Sequence, residues 1–366
     1  MRTDWGGMAE AFVIWGGFGG HNFGDEAILW AASRLLRKLR PKSKQFVIVL
    51  HDISDNTAEL YREWELDVVR AGSLDCLRAL LIARLVVGGG QLVDDKTIGW
   101  PVGWTSLFLV ANRIFGQRPL MLCIGAEAIK RRLTVRLVRH FYSLASVCTC
   151  RDAETAAILR KAGVPSARIW VARDMVFSLD RTVLPAHCAI KSSGYQIAVL
   201  IAKDADRLPD IIERLHLLIT SLLRCGFQVR LLAHDVRDSY DRGALLLFKE
   251  RYANEPRVIT SRADTLKDIL DLYSQCDAVI SARMHPLILA SLVGALPIAI
   301  VLTGKVKALA ANLGIPILAF DSDPQVQAAQ ISQLVAQREE YTKPLEERSK
   351  EWGKTVEQVT GDALSR

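Results

Sequence analysis

Short apolar runs alternate with stretches of helical period along nearly the whole chain. The runs predict strands at Phe12–Trp15, Phe46–Leu50, Asp67–Val69, Leu85–Val87, Leu120–Ile124, Val147–Cys150 and Ile169–Ala172. After a break they resume at Gln196–Ile201, Gln228–Ala233, Arg257–Ile259, Ala278–Ser281, Ile298–Val301 and Ile317–Phe320. Helical patterns separate them, which is the signature of parallel sheets covered on both faces. Periodicity lapses over Asp180–Ser193, where Pro185 and the turn Ser192, Ser193, Gly194 predict a linker. The expected class is therefore α/β, with two Rossmann-like domains facing a cleft. Their bounds are residues 1–182 and 190–323, followed by 324–366, a charged stretch without evident caps that predicts one or two exposed helices able to fold back on the first domain. A chain of 366 residues, half of them hydrophobic, can bury two such cores.

Three predicted strand ends carry unusual chemistry. Ala11–Trp15 runs into Gly16, Gly17, Phe18, Gly19, Gly20, His21, Asn22, Phe23, Gly24, Asp25 and Glu26, ahead of a helical pattern over Ala27–Leu39. Leu85–Val87 runs into Gly88, Gly89 and Gly90, with Asp94 and Asp95 just beyond. Ala278–Ser281 leads to Arg283, Met284 and His285, with Pro286 expected to open a helix. In open parallel sheets the strand ends that face helix N-termini are where ligands bind, and consecutive glycine amides can converge on an anion.

Composition narrows the partners. A formal charge of +7 and a pI near 9.1 call for something anionic. Arg34, Arg37, Lys38, Arg40, Lys42 and Lys44 cluster at the end of the first helix, and Arg131, Arg132, Arg136 and Arg139 follow helical spacing. Aromatic residues do not interleave with these charges, which argues against nucleic acid. A phosphorylated or lipid-linked substrate, with peripheral contact at the inner membrane surface, explains the balance equally well, as does a plain solvated face. The seven cysteines show no zinc-like spacing; Cys148 and Cys150 read as buried thiols, and the whole fits a reducing cytoplasm. Pro286–Leu302 is apolar enough to imitate a membrane span, but Pro286, Gly294 and Pro297 divide it into a short helix and a buried strand. With no cleavable signal peptide visible, the reading is a soluble protein.

Each candidate side chain has a structural and a chemical reading. Asp25 and Glu26 suit a helix start on dipole grounds alone, which accounts for one of them; Asp25, beside Asn22 and Gly24, is the candidate acid or base. Arg283 offers a planar fork for carboxylate or phosphate, and His285 can donate to an anion or pass a proton. Lys305, after Thr303 and Gly304, should emerge on the same sheet edge. Arg151 follows a strand and is either aimed at the cleft or paired with Asp152, which is placed to cap the next helix. Asp94 and Asp95 suit a hydroxylated acceptor or, with further ligands, a metal; none of the motifs demands one. His21 is an ordinary loop histidine or a second acid or base. His51 and Asp52 suit a ribose only in a dinucleotide enzyme, and Gly17, Gly19 and Asn22 fail the GxGxxG register.

In order and spacing, the segments Gly19–Leu29, Gly88–Asp95, Arg151 with Asp152, and Ser281–Ile300 with Gly304–Val306 beyond resemble the polysaccharide pyruvyl transferase family. The resemblance implies a GT-B-like fold and a ketal-forming pyruvyltransferase of cell-wall or exopolysaccharide biosynthesis. It implies phosphoenolpyruvate as co-substrate; the chemistry of that donor requires no redox cofactor, and none of the motifs demands a metal. On it, Asp25 is the catalytic acid or base, and Arg151, His285 and Lys305 bind the donor with Arg283 beside them; the chemistry adds His285 as the candidate catalytic proton donor, and the residues themselves offer Asn22, Gly89, Gly90 and Asp94 for the acceptor or the loops. Phe18 and Phe23 depart from the more polar loop usual there, which bears on the acceptor. Two alternatives stay open: a GT-B glycosyltransferase using a nucleotide sugar, and a non-catalytic anion-binding protein of envelope polysaccharide assembly.

Overall fold

The computed structural model describes residues 10–20, 22–95, 99–188, 196–200, 208–237 and 241–366. They form two compact units. The first comprises residues up to Gly20 with Asp25–Leu179 and Trp352–Arg366; the second comprises residues 21–24 and Asp180–Glu351.

The first unit is built on β1 (Ala11–Trp15), β2 (Lys44–Val49), β3 (Asp67–Arg70), β4 (Arg84–Gly88), β5 (Gln91–Val93), β6 (Leu120–Ala126), β7 (Val147–Cys150) and β8 (Ile169–Val171). The strands lie in the order β3-β2-β1-β4-β6-β7-β8, with β5 added against β6, and every pair is parallel. The second unit carries β9 (Gln196–Leu200), β10 (Gln228–Leu232), β11 (Val258–Thr260), β12 (Ala278–Ser281), β13 (Leu296–Ile300) and β14 (Ile317–Leu318), in the parallel order β11-β10-β9-β12-β13-β14. Helices connect them: α1 (Phe23–Leu39), α2 (Asp55–Glu63), α3 (Leu74–Ile82), α4 (Trp104–Ile114), α5 (Arg132–Phe141), α6 (Ala153–Ala162), α7 (Leu208–Arg224), α8 (Asp241–Arg251), α9 (Leu266–Ser274), α10 (Met284–Val293) and α11 (Gly304–Leu313), with α12 (Pro324–Ala336) and α13 (Arg338–Leu364) at the end. Central strands such as β7 and β12 are buried at every position, as a sheet sandwiched between helices requires.

The membrane-like stretch resolves as expected into a helix and a strand. Within α10 all but one residue are buried, Gly294 ends it in the left-handed region at φ +84°, and β13 follows. No helix among the described residues is long and apolar enough to cross a membrane.

Several boundaries differ from the sequence pattern for local reasons. Helix α1 begins at Phe23, four residues before the predicted start, so Asp25 and Glu26 lie in its first turn. Helix α10 begins at Met284 with Arg283 as its N-cap, and Pro286 sits in the first turn, where its missing N–H costs nothing. Strand β5 is unpredicted. Strand β6 shifts register after Met121, Cys123 adopts φ +52°, and the strand that began beside β4 continues beside β5. The terminal stretch is capped after all: Asp323, one residue ahead of it, accepts from the amides of Gln325 (2.7 Å) and Val326 (3.3 Å). Nor is α12 exposed, because Ala328, Ile331, Leu334 and Val335 are buried in the core of the second unit beside α7. In the first unit, Trp352 of α13 meets Phe177 edge-on at 4.9 Å, and Lys38 pairs with Glu357 at 2.7 Å. Residues 189–193 of the predicted linker, Gly194 of the turn beside it, and Ile201 of a predicted strand lie outside the described residues.

Candidate functional site

In the first unit the neighbouring strands β1, β4, β6 and β7 end on one edge of the sheet, and each end carries a glycine or an arginine. Asp25 stands over this edge. A side chain grafted on Gly17 would meet its carboxylate at 3.0 Å, and one on Gly90 at 3.4 Å. Gly90 also takes a positive φ of +69°, and Gly89, at +55°, has no room for a Cβ, which would lie 2.3 Å from Ile28. The two glycine segments are thus where the backbone must approach α1 closely, and together they frame Asp25.

The amides expected to gather a ligand anion are already taken. Gly19 and Gly20 donate to Glu26 Oε1 at 3.0 and 2.7 Å, and Tyr61 donates its hydroxyl to Oε2 at 2.7 Å. Glu26 is buried, and burial pushes its pKa above the ordinary carboxylate value even against these donors. The glycine loop therefore binds an anion supplied by its own helix. Of the two acidic residues, Glu26 braces the loop, while Asp25, a residue earlier, faces Gly17 and Gly90.

Arg151 is nearly enclosed. Its guanidinium lies over Gly125, 2.5 Å from where a Cβ would be, with Nε 3.4 Å from Asp152 and Nη1 4.0 Å from the buried Asp174. The anticipated ion pair is therefore present, and Asp152 also caps α6 through the Thr155 amide at 2.6 Å. Asp94 is buried just after β5. Asp95 Oδ2 accepts from the amides of Lys130 and Arg131 and fixes the approach to α5. His51 and Asp52 are exposed, and Asp52 pairs with Arg70 at 3.1 Å. His21 lies outside the described residues.

The second unit gathers a different set. Arg283 and His285 follow the end of β12, and Lys305 follows the end of the neighbouring β13, in the first turn of α11. Arg283 Nη2 donates to Asp241 Oδ1 at 2.5 Å. The other oxygen of Asp241 accepts from the amides of His234 (3.3 Å) and Asp235 (3.1 Å), so one fully buried carboxylate ties the end of β10 to the end of β12. Burial raises the Asp241 pKa and Arg283 opposes the rise. His234 is buried, with Nδ1 3.1 Å from the Tyr273 hydroxyl; burial, then His285 and Arg283, drive its pKa well below the ordinary histidine value, so the ring is neutral. Asn22–Gly24 belong to this unit. Asn22 pairs with Asp235 through the backbone and accepts the Gly24 amide at 2.9 Å, so its side chain shapes the turn. Phe23 donates its amide to the His234 carbonyl at 3.2 Å. A Cβ on Gly24 would lie 2.3 Å from His285 Nδ1, so only glycine admits that ring.

His234, Asp235, Asp241 and Tyr273 were missed by sequence reasoning. The first two had a usable signal, since Ala233, His234 and Asp235 follow an apolar strand just as Arg283 follows another. Asp241 and Tyr273 open and line helices, and nothing in their spacing marks them.

The fold is shared with solved structures of low sequence identity. HepE of Anabaena in complex with UDP-glucose is 14% identical, with 98% of this chain and 100% of that one covered and a TM-score of 0.64. UDP-GlcNAc 2-epimerase of Neisseria meningitidis bound to UDP-GlcNAc is 13% identical over 97% and 99%, with a TM-score of 0.62. A glycosyltransferase of Rickettsia africae is 13% identical over 97% of each chain, at 0.63. The expected GT-B-like architecture, α/β with two parallel sheets, is thereby established. No curated protein matches the sequence. Residues 22–301 match the polysaccharide pyruvyl transferase family across most of the chain, with Gly24, Asp25, the Gly88–Gly90 segment and the basic strand end of Arg283 and His285 included, and the protein belongs to that family.

Proposed function

We propose that the protein transfers a pyruvyl group from phosphoenolpyruvate to two hydroxyls of a sugar in a cell-wall or exopolysaccharide precursor, forming a ketal and releasing phosphate. The observation that carries this reading is the basic edge of the second unit, where Arg283, His285 and Lys305 follow two neighbouring strands and suit a small acid bearing both carboxylate and phosphate. Arg151 is assigned to the same donor on the family resemblance. Asp25 takes the proton of the first sugar hydroxyl, whose oxygen bonds to the central carbon of the donor while the double-bond electrons accept a proton at the methylene; His285 is the assigned acid. The second hydroxyl then bonds to the same carbon, loses its proton, and the carbon–phosphate oxygen bond breaks. Asn22, Gly89, Gly90 and Asp94 are assigned to the acceptor side, and the seven unpaired cysteines fit a cytoplasmic reaction.

The test is phosphate release from phosphoenolpyruvate in the presence of precursor oligosaccharides, with the ketal identified in the product. Asp25→Ala should abolish ketal formation and leave donor binding within about threefold, whereas Lys305→Ala should weaken donor binding at least tenfold. Nucleotide release from a UDP-sugar, with phosphoenolpyruvate untouched, would move the protein to the glycosyltransferases.

A further inference from the structure

Helices α3, α4 and α5 lie side by side on the first sheet, α3 against α4 and α4 against α5. Their inner faces are core: Cys76, Ala79 and Leu80, then Phe108 and Leu109, then Val138. Their outer faces are not purely polar, as those of helices facing only water would be. Leu74, Leu77 and Leu81 form one stripe on α3 at helical spacing, Leu107 and Ile114 sit two turns apart on α4, and Leu133 opens α5. Leu74 and Ile114 are each 73% exposed and the other four between 47 and 55%. A run of large aliphatic side chains over three adjacent helices is a contact surface rather than scatter.

The charges among them select the contact. The three helices carry Arg78, Arg113, Arg132, Arg136 and Arg139, all exposed, against a single acid, Asp75, which is paired with Arg78 at 3.1 Å. A second copy docking by the same face would set arginines against arginines. Nucleic acid would ask for aromatic platforms, and the exposed side chains here are aliphatic. Leucines that can sink among acyl chains, ringed by guanidinium groups at headgroup height, match the surface of an anionic bilayer.

We propose that the outer face of α3, α4 and α5 docks the protein on membranes rich in anionic lipid. The proposal is independent of the transfer chemistry, because the test contains no substrate. The full-length protein is sedimented with vesicles of phosphatidylcholine containing about 30% phosphatidylglycerol, and with phosphatidylcholine alone. Binding to the anionic vesicles should be at least about tenfold tighter and should weaken with added salt. Leu77→Gln with Ile114→Gln, and separately Arg132→Glu with Arg136→Glu, should each cost about tenfold or more; all four sites are on the surface, and two independent pairs guard against one folding poorly. Equal partition onto both vesicle types, no binding to either, or wild-type binding by both pairs overturns the proposal. So does sedimentation velocity showing a dimer that the leucine and isoleucine changes dissolve, which would give the face to a second copy.

Discussion

In sequence the glycine loop of the first unit resembles the basic strand ends of the second unit, since each is a strand running into a helix through residues suited to an anion. They differ in where the internal anion sits. In the glycine loop Glu26 comes from the helix that the loop introduces, and it saturates Gly19, Gly20 and Tyr61. In the second unit Asp241 comes from a different helix and spends only one oxygen on Arg283, using the other to hold the turn that carries His234. The first arrangement is a brace. Its product is the placement of Asp25, whose carboxylate stands against Gly17 and Gly90. The second is a partial neutralisation that orients a guanidinium. An anion-binding pattern therefore tells that a carboxylate or phosphate will be met, without telling whose.

The largest effect should come from removing the shared carboxylate. In Asp241→Ala a guanidinium and two amides lose their acceptor in a buried setting, and breaking such a pair costs about 3–5 kcal/mol. Urea unfolding of the variant measures it, and a loss under about 1 kcal/mol would mean that the strand ends of the second unit stand without their internal anion. On the other side of the comparison, Tyr61→Phe takes one donor from Glu26 and leaves the glycine amides; a hydrogen bond to a buried charged group sets the loss at about 1.5–3 kcal/mol. Were Tyr61→Phe to cost more than Asp241→Ala, the brace would be the more dependent of the two.

Gly24→Ala sharpens the contrast at the point where the second unit relies on a missing side chain. Alanine favours a helix by about 1 kcal/mol over glycine, yet here its methyl would sit on His285. Stability should change by about 1–2 kcal/mol in either direction, while phosphate release falls at least tenfold as the ring is displaced. Full activity in this variant would show that the His285 ring position is not used.

The alternation of apolar runs and helical stretches made both sheets legible, because a parallel sheet buried on both faces has to be written as apolar strands. Boundaries failed where side chains, not periodicity, decide them: α1 starts early because Asn22 turns the chain at Gly24, and α12 is capped by Asp323 just outside the charged stretch. Residues at strand ends were legible as candidates, Asp25, Arg283 and His285 among them. Their partners were not. Asp241 lies 42 positions from Arg283, and nothing local to either residue encodes that pair. Glu26 was legible as a helix-start acid, but its role in bracing the loop was not, since that role depends on Tyr61, 35 residues on.

Acid should move the two sites in opposite directions. Burial lifts the Glu26 pKa above 4.5, so the folded protein holds that proton more tightly than the unfolded chain does. The stability linked to Glu26 is then complete below 4.5 and is lost as pH rises through the raised folded value. His234 behaves the other way. Burial, with His285 and Arg283, depresses its pKa well below 6.5, and the unfolded chain takes up the proton first. Its contribution is complete above 6.5 and is lost as pH falls toward the folded value. Either slope is at most about 1.4 kcal/mol per pH unit, the smallest of these effects, and it needs a difference measurement. Between about pH 7.5 and 4.5, the stability of wild type minus Glu26→Gln should grow on acidification, whereas wild type minus His234→Asn should shrink. Two differences of the same sign would show that burial does not govern both groups, and with that the distinction between a loop closed on its own acid and a strand end holding a neutral histidine among cations would fail.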